Sequence, residues 1–360
     1  MDNAHEHFAN VGEWSELYVL GYLLSEGGAF AADAQQSAIE NVFYEVLNVQ
    51  LANKDSTVVR YEIENDLVYI RHASGKIKTL PRAEIKSALN RLFEDLSEDA
   101  NSKTFTIESG NYLANLLDRE FVSAGSQMRT YDMELVLKDP DNSVVRPKVG
   151  FSIKSQLGSP STLLNASGAT NFTFRIDGTN SKALLSELNL PQGSVIANLE
   201  QIFKAGYELE LEHIDNSTFE SNLTRIDSVM PENLAKLLLT FYRTGNSKLA
   251  NVADIAFPKE DPSSEQKIYK TKQLLGSIAM GMRPSTAWDG DSSKFKGMIV
   301  VKAKGDVVVY YVLNLPDFQE FLFHSVRFER GSTSRHKYGQ IYTQNGENYI
   351  KLNLQIRFTK

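Results

Sequence analysis

The sequence contains no cysteine among its 360 residues, which excludes disulfide bonds and zinc sites built from thiolates. We therefore expect the protein to act in a reducing compartment, the cytoplasm. No stretch approaches the roughly 20 uncharged apolar residues that a membrane-spanning helix needs, and the first residues show no basic segment followed by an apolar one. We expect neither a membrane segment nor a signal peptide. A glycine-rich phosphate-binding loop is also absent, so nothing indicates the use of ATP.

Charge is modest overall but unevenly distributed. The net charge is −7, which argues against a protein that coats nucleic acid. Residues 1–150 contain 14 Lys and Arg against 24 Asp and Glu, whereas residues 325–360 contain seven against two. An enzyme that binds metal with one part and phosphate with another would show this pattern, and so would ordinary scatter of surface charge.

The hydrophobic patterns predict a mixed α/β fold. Leucines at helical spacing predict a helix over residues 14–25, and residues 37–51 are interpreted as a second helix. Alternating patterns predict strands at 132–137 and 150–155, joined by a turn-rich segment. Residues 185–285 are predicted to be mainly helical, and the tail returns to strands.

The two strands at 132–137 and 150–155 form a candidate hairpin with acids beside a lysine. Successive strand residues point to opposite faces, so Asp132 shares a face with Glu134, and Ser152 shares one with Lys154 and Gln156. Carboxylates bind a hard cation through oxygen, and the cation stabilises charge on a phosphate and lowers the pKa of a bound water. A lysine offsets the charge that develops. The pattern fits metal-assisted phosphodiester hydrolysis, although most such patterns are solvated strand faces.

The first predicted helix contributes two further acids. Glu13 and Glu16 lie on and beside the stripe formed by Leu17, Leu20 and Leu24. A buried carboxylate without a partner is costly, which favours a partner for these acids. Acids at the N-terminus of a helix are also favoured by the helix dipole, and both interpretations stay open.

Several blocks of sequence resemble the HpaII restriction endonuclease family. They are VGEWSELY (11–18), GFSIKSQLGSPSTLLNAS (150–167) followed by ATNF (169–172), STSRHKYG (332–339) and LNLQIRF (352–358). The resemblance implies a PD-(D/E)XK restriction-endonuclease-like core with a C-terminal helical and β elaboration. It also implies Mg²⁺-dependent cleavage of duplex DNA at the palindrome CCGG, and a companion DNA methyltransferase that protects the host. On this resemblance Asp132 is the metal-binding aspartate and Lys154 the catalytic lysine.

The chain departs from the family's pattern at Ser152, where an acid usually stands two residues before the lysine. Serine is a poor Mg²⁺ ligand, so the second carboxylate must come from elsewhere or be absent. Glu16 is the first choice and Glu134 the second, while Gln156 could bind a metal-bound water or a phosphate. We assign the nuclease core with its metal site to residues 1–180 and DNA recognition to residues 181–360, although one compact unit could contain both.

The basic tail is the first candidate for reading DNA. Arginine contacts guanine through two hydrogen bonds, and serine and lysine contact phosphates, which suits the G·C pairs of CCGG. A basic surface loop between strands would have the same composition, and the polar segment after Lys154 could equally enter a groove. The candidate DNA-binding residues are Arg327, Arg330, Ser332, Ser334, Arg335, His336 and Lys337 in the tail, with Ser161, Asn165 and Asn171 in the segment after Lys154.

Two other functions stay open on the residues alone. A DNA-binding module that has lost catalysis would explain Ser152, and a repair nuclease would share the metal site. Asp132, Lys154 and Glu16 favour an enzyme over the first alternative. A neighbouring DNA methyltransferase gene would favour restriction over repair.

Overall fold

A computed structural model describes residues 6–53, 57–99, 104–120, 131–140, 143–158, 160–177, 194–290, 295–311 and 315–359. The chain divides into two compact units. Unit 1 comprises Met1–Ser161, Ser292–Phe318 and Lys360, and unit 2 comprises Thr162–Asp291 and Gln319–Thr359. This division differs from the expected boundary at residue 180, because a later segment returns to unit 1 and supplies two strands of its sheet.

Unit 1 is built on one large sheet. Its elements are α1 (Val11–Glu26), β1 (Gly28–Ala32), β2 (Ala38–Ala52), β3 (Val58–Glu64), β4 (Leu67–His72), β5 (Ile77–Pro81), α2 (Arg82–Asp99), α3 (Glu108–Leu116), β6 (Met133–Lys138), β7 (Val145–Ser155), β11 (Phe295–Val301) and β12 (Val307–Tyr311). The nine strands lie in the order β1-β12-β11-β7-β6-β2-β3-β4-β5. Two neighbouring pairs, β1 with β12 and β11 with β7, are parallel, and the other pairs are antiparallel.

Helix α1 covers one face of this sheet. Asn10 and Glu13 form a capping box at its start, and Gly27 ends it in the left-handed conformation at φ 76°. Its apolar side chains belong to the same buried core as Phe151 and Ile153 of β7. The predicted helix at 14–25 is therefore confirmed, and its position leaves the opposite face of β7 to the polar residues.

The helix expected at residues 37–51 is wrong, because this segment is the long strand β2. Tyr44 and Val46 are buried, and so are Val49 and Leu51, so the inward-facing positions shift by one residue between the two pairs. A bulge between Val46 and Asn48 causes this shift. It interrupts the alternation that would have indicated a strand, although the β-branched and aromatic content favours one.

Unit 2 combines helices with two small sheets. Its elements are β8 (Thr162–Leu164), β9 (Asn171–Asp177), α4 (Val195–Lys204), β10 (Glu208–Ile214), α5 (Ser217–Ile226), α6 (Met230–Thr244), α7 (Leu249–Ala256), α8 (Ser264–Ala279), β13 (Val326–Phe328), α10 (Thr333–His336), β14 (Ile341–Gln344), β15 (Glu347–Asn353) and β16 (Ile356–Phe358), and α9 (Leu315–Ser325) spans the boundary. One sheet has the order β10-β9-β15-β14 and the other β13-β16-β8. The strands expected in the tail are thus divided between two sheets. None of the helices within the described ranges is long and apolar enough to cross a membrane.

Candidate active site and DNA interface

The hairpin of β6 and β7 has the two faces that the alternation predicts. Met133 of β6 pairs with Phe151 of β7, and both side chains are buried in the core. Asp132 and Glu134, which flank Met133, are half-exposed, and so is Lys154. We call the half-exposed side chains of Asp132, Glu134, Ser152 and Lys154 the hairpin face.

Asp132 is fixed against the strand that carries the lysine. Its backbone N–H donates to the Phe151 carbonyl at 2.9 Å. Its Oδ2 atom accepts a hydrogen bond from the Ile153 backbone N–H at 2.7 Å. The carboxylate is therefore anchored between the positions of Ser152 and Lys154 by an atom that no substitution of a side chain can remove.

Lys154 lies between polar and apolar neighbours on the same sheet. On one side is β6 with its acids, and on the other Lys154 pairs with the buried Val300 of β11. Within the described part of the chain, its ammonium has no hydrogen bond or ion pair with another side chain. Lys154 is half-exposed as a whole residue, so its side chain is accessible from the hairpin face.

Glu134 is the carboxylate that shares the hairpin face with Asp132. Tyr131 Oη donates a hydrogen bond to Glu134 Oε2 at 2.9 Å, and burial, followed by this contact, raises the pKa of Tyr131. Glu16 instead lies half-exposed on α1, the helix that packs on the other face of β7. Across the described ranges no three His, Asp or Glu side chains converge on one point as a metal-binding group.

The two carboxylates of the hairpin face suit Mg²⁺, a cation that needs few protein ligands. Mg²⁺ keeps several waters and is commonly bound by only one or two carboxylates together with substrate phosphate. Asp132 and Glu134 supply hard oxygen ligands of this type on one face of the sheet. The residues therefore fit Mg²⁺ and do not fit a closed protein cage.

The side chain of Gln156 is hydrogen-bonded to another side chain of unit 1. Its Nε2 atom donates to Gln36 Oε1 at 2.7 Å, and its backbone N–H donates to the Val301 carbonyl. Gln36 stands at φ 65° in the turn between β1 and β2. The side-chain amide thus ties this turn to the end of β7. A metal-bound water would donate to its oxygen, whereas a phosphate would accept from its second N–H.

The two candidate recognition segments of unit 2 lie against each other. Asn171 Nδ2 donates to the His336 carbonyl at 2.9 Å. Asn353 Nδ2 donates to the Ser167 carbonyl at 2.8 Å and to Asn171 Oδ1 at 2.7 Å. A Cβ on Gly331 would lie 2.8 Å from the Ala166 Cβ, so the close approach requires glycine there. We call the surface formed by residues 165–171 and 330–338 the loop surface.

The expected DNA-binding residues differ in how far their side chains are exposed on the loop surface. Arg335 is exposed on the short helix α10, whose N-cap Ser332 accepts from the Arg335 backbone N–H. Asn171 is only 3 % exposed and serves to join the two segments, so its side chain is structural. The exposed members are Asn165, Arg330, Ser332, Ser334, Arg335 and Lys337, and His336 is half-exposed.

Two other expected DNA-binding residues, Arg327 and Ser161, lie outside the loop surface. Arg327 on β13 pairs with Glu329 at 3.3 Å, and Glu329 also pairs with Arg357 at 3.0 Å, so two guanidinium groups share one carboxylate inside unit 2. Ser161, the last residue of unit 1's first segment, is half-exposed, and its Oγ atom is buried without a hydrogen bond to any described residue.

Sequence reasoning missed three side chains that organise these sites. Tyr131 is adjacent to Asp132, and this adjacency was the available signal for its contact with Glu134. Gln36 and Asn353 gave no local signal, because their partners lie more than a hundred residues away along the chain.

Known proteins resemble this chain over nearly its whole length. The family described as HpaII restriction endonuclease matches residues 10–358. A curated protein of Haemophilus parainfluenzae, the type II restriction enzyme HpaII, is 32% identical over 360 residues, which cover 97% of this chain and 98% of that protein. No solved structure matches the chain.

Proposed function

Because the chain belongs to the HpaII restriction endonuclease family and is a type II site-specific deoxyribonuclease, we propose that it hydrolyses duplex DNA at CCGG with Mg²⁺ held on the hairpin face. The observation that carries this proposal is the anchored carboxylate of Asp132, whose Oδ2 accepts the Ile153 N–H one residue from Lys154. An acid and a lysine on adjacent strands form the minimum constellation for metal-assisted phosphodiester hydrolysis.

Asp132 and Glu134 are the residues that would hold the metal. When bound, Mg²⁺ supplies charge stabilisation to the phosphate and a more acidic water. The backbone hydrogen bond of Asp132 keeps its carboxylate in place, and the Tyr131 hydroxyl does the same for Glu134. Glu134 supports the proposal better than Glu16 because it shares a face with Asp132, whereas Glu16 belongs to the helix on the other face.

Lys154 would act directly on the reacting groups. Its ammonium is available on the hairpin face and lies beside the apolar Val300. From there Nζ would orient the attacking water and offset the negative charge that develops on the phosphate oxygens. Ser152, where the family usually has an acid, would contribute a hydroxyl rather than a metal ligand.

The fold around the hairpin supports a PD-(D/E)XK-type core. An antiparallel hairpin with the acid on its first strand and the lysine on its second is followed by the parallel strand β11, with α1 packed on one face. The companion DNA methyltransferase and the cytoplasmic location stay predictions from the sequence and its resemblance.

Recognition of the site is assigned to the loop surface of unit 2. Its exposed Arg330 and Arg335 are suited to guanine, which accepts two hydrogen bonds from a guanidinium group in the major groove. Lys337, Ser332 and Ser334 would contact phosphates and position the protein. The palindrome CCGG contains guanine in each half-site, which agrees with a surface that presents arginines.

Digestion of plasmid DNA by the purified protein with Mg²⁺ tests the proposal, with the fragment ends sequenced. We expect fragments whose ends all derive from CCGG, and no fragments when EDTA removes the metal. The variant Asp132→Asn is the matched control, because asparagine keeps the oxygen that accepts the Ile153 N–H but loses the charge. Ends at another sequence would refute the CCGG assignment, and cleavage in EDTA would refute the metal.

A further inference from the structure

A basic hairpin stands out within the acidic first half of the chain. Residues 67–81 contain three Lys and Arg together with His72 and no Asp or Glu, although residues 1–150 contain 24 acids against 14 bases. This segment comprises strands β4 and β5 and the turn between them. The turn is exposed at Ser74, Gly75 and Lys76, so its charges face solvent.

The same hairpin forms one wall of a cavity of about 410 Å³ in unit 1. His72, Ser74 and Lys76 line it from the hairpin, Asn53 from the end of β2, and Asp118 from the segment that follows α3. The lining is polar, and it includes side chains that donate hydrogen bonds. A cavity of this kind is suited to a small anionic group rather than to an apolar ligand.

Two lysines and one histidine share a single carboxylate beside the cavity. Asp118 accepts hydrogen bonds from His72 at 3.0 Å, Lys76 at 3.2 Å and Lys78 at 3.0 Å. Burial alone would raise the pKa of Asp118, but the hydrogen bonds and charges of these partners, Lys78 foremost, outweigh it and the pKa is lowered. Asp118 is therefore an anion that holds the cations in place without neutralising them all.

The Lys76 ammonium can donate hydrogen bonds to a second partner besides Asp118. Its side chain is 65% exposed, and an ammonium has three donors, of which Asp118 uses one in the described structure. On the inner wall, Arg119 is buried and donates to the Ala52 carbonyl and to Asn53 Oδ1. The exposed Glu120 is a second carboxylate of the lining, so among the described residues Lys76, Lys78 and Arg119 stand beside Asp118 and Glu120.

The cavity lies at the same end of the sheet as Asp132, on the side where α3 packs. Helix α3 belongs to the core on the face opposite to the hairpin face. Strand β6 begins immediately after Asp132, and at that end β2 ends at Ala52, β3 begins at Val58 and β4 ends at His72. Three strand spacings of about 4.8 Å separate β6 from β4, which is about 14 Å. A DNA strand that passes Asp132 and continues around this end of the sheet would bring a neighbouring phosphate to the cavity.

We propose that this cavity binds a backbone phosphate of the DNA that flanks the scissile phosphate, with Lys76 as the principal contact. The inference rests on the proposed function, because it takes duplex DNA on the hairpin face as its starting point. Duplex DNA carries a phosphate charge about every 1.7 Å along its axis, so a flanking phosphate is always present, whatever the sequence. The contact would thus strengthen binding without contributing to the choice of CCGG.

The test measures the Kd of a CCGG duplex and of a scrambled duplex at several salt concentrations. All proteins carry Asp132→Asn so that the DNA stays intact. We expect Lys76→Ala to lower the slope of log Kd against log salt by about 0.9 on both duplexes, the value for one phosphate contact. Lys138→Ala is the matched control, because Lys138 is a half-exposed lysine paired with Glu45 at the far end of β6 and its loss removes the same charge.

Two further arms separate the possible sources of a phosphate. Lys76→Arg should keep the slope of the parent, and a duplex trimmed close to CCGG should abolish the difference between Lys76→Ala and the parent. An unchanged slope for Lys76→Ala would overturn the proposal. So would binding of inorganic phosphate that depends on Lys76 while the DNA slope stays constant, since the cavity would then bind a free anion. Failure of the proposed function is a separate result, because it would appear as absent CCGG ends in the plasmid digestion.

Discussion

The hairpin face of unit 1 and the loop surface of unit 2 hold their side chains by different means. Asp132 and Lys154 project from adjacent strands, and a backbone N–H anchors the aspartate. Arg335 projects from a four-residue helix, and the segments around it are joined by the buried amides of Asn171 and Asn353. Hydrolysis requires reacting groups held within a fraction of an ångström, which a sheet provides. Reading base edges requires side chains that reach out from a surface, which loops provide.

The largest effect should come from removing the negative charge of Asp132 on the hairpin face. Asp132→Asn should reduce Mg²⁺-dependent cleavage to background, because the oxygen that accepts the Ile153 N–H remains while the charge that holds the cation is lost. The measurement is the cleavage rate across a Mg²⁺ titration, with circular dichroism to establish the fold.

Two matched substitutions then identify the second acid. Glu134→Gln should lower the cleavage rate and shift the Mg²⁺ requirement upward more than Glu16→Gln does, because Glu134 shares the hairpin face. The reverse order would return the role of second ligand to the helix and restore Glu16 as the first choice.

Lys154→Ala should slow cleavage by about 10²–10³-fold or more while leaving the fold and DNA binding intact, because it removes a charge that acts on the transition state. Single-turnover rates on a CCGG duplex measure the effect, and Lys138→Ala controls for the loss of one lysine from the same sheet. Near-normal rates for Lys154→Ala would remove the lysine from the reaction.

On the loop surface, Arg335→Ala should reduce the preference for CCGG over scrambled DNA by about 1–3 kcal/mol, the worth of one bidentate contact with guanine. Arg327→Ala should leave this preference unchanged, because Arg327 is paired with Glu329. Paired binding titrations at several salt concentrations measure both. A uniform loss on both duplexes would assign Arg335 to the phosphate backbone instead.

The smallest effect should come from loss of the Asn353 amide, which holds the segments of the loop surface together. Asn353→Ala should lower the free energy of unfolding by about 1–3 kcal/mol, because it removes a donor to the buried Asn171 Oδ1. Asn165→Ala, an exposed position on the same surface, should leave the free energy unchanged. Thermal unfolding of both variants measures the difference, and equal stabilities would show that the join contributes nothing.

The faces of β6 and β7 were predictable because their logic is local. Alternation alone placed Asp132 and Glu134 on one side and Phe151 and Ile153 on the other, and the structure confirms both. The same logic failed for β2, where one bulge breaks the alternation. It also could not state which face of the sheet α1 covers, and our proposal that Glu134 rather than Glu16 accompanies Asp132 rests on that face.

By itself, the sequence determined the family, the polar and apolar sides of the hairpin and the basic character of the tail. Each of these depends on residues close together in the chain or on blocks that can be recognised directly. Only the tertiary structure decided that Asn171 and Asn353 join the two segments of the loop surface, that Gln156 is tied to Gln36, and that the cavity lined by Lys76 lies at the same end of the sheet as Asp132. These features depend on strand order and on contacts between distant residues, which are set by how the whole core packs and by which strands become neighbours.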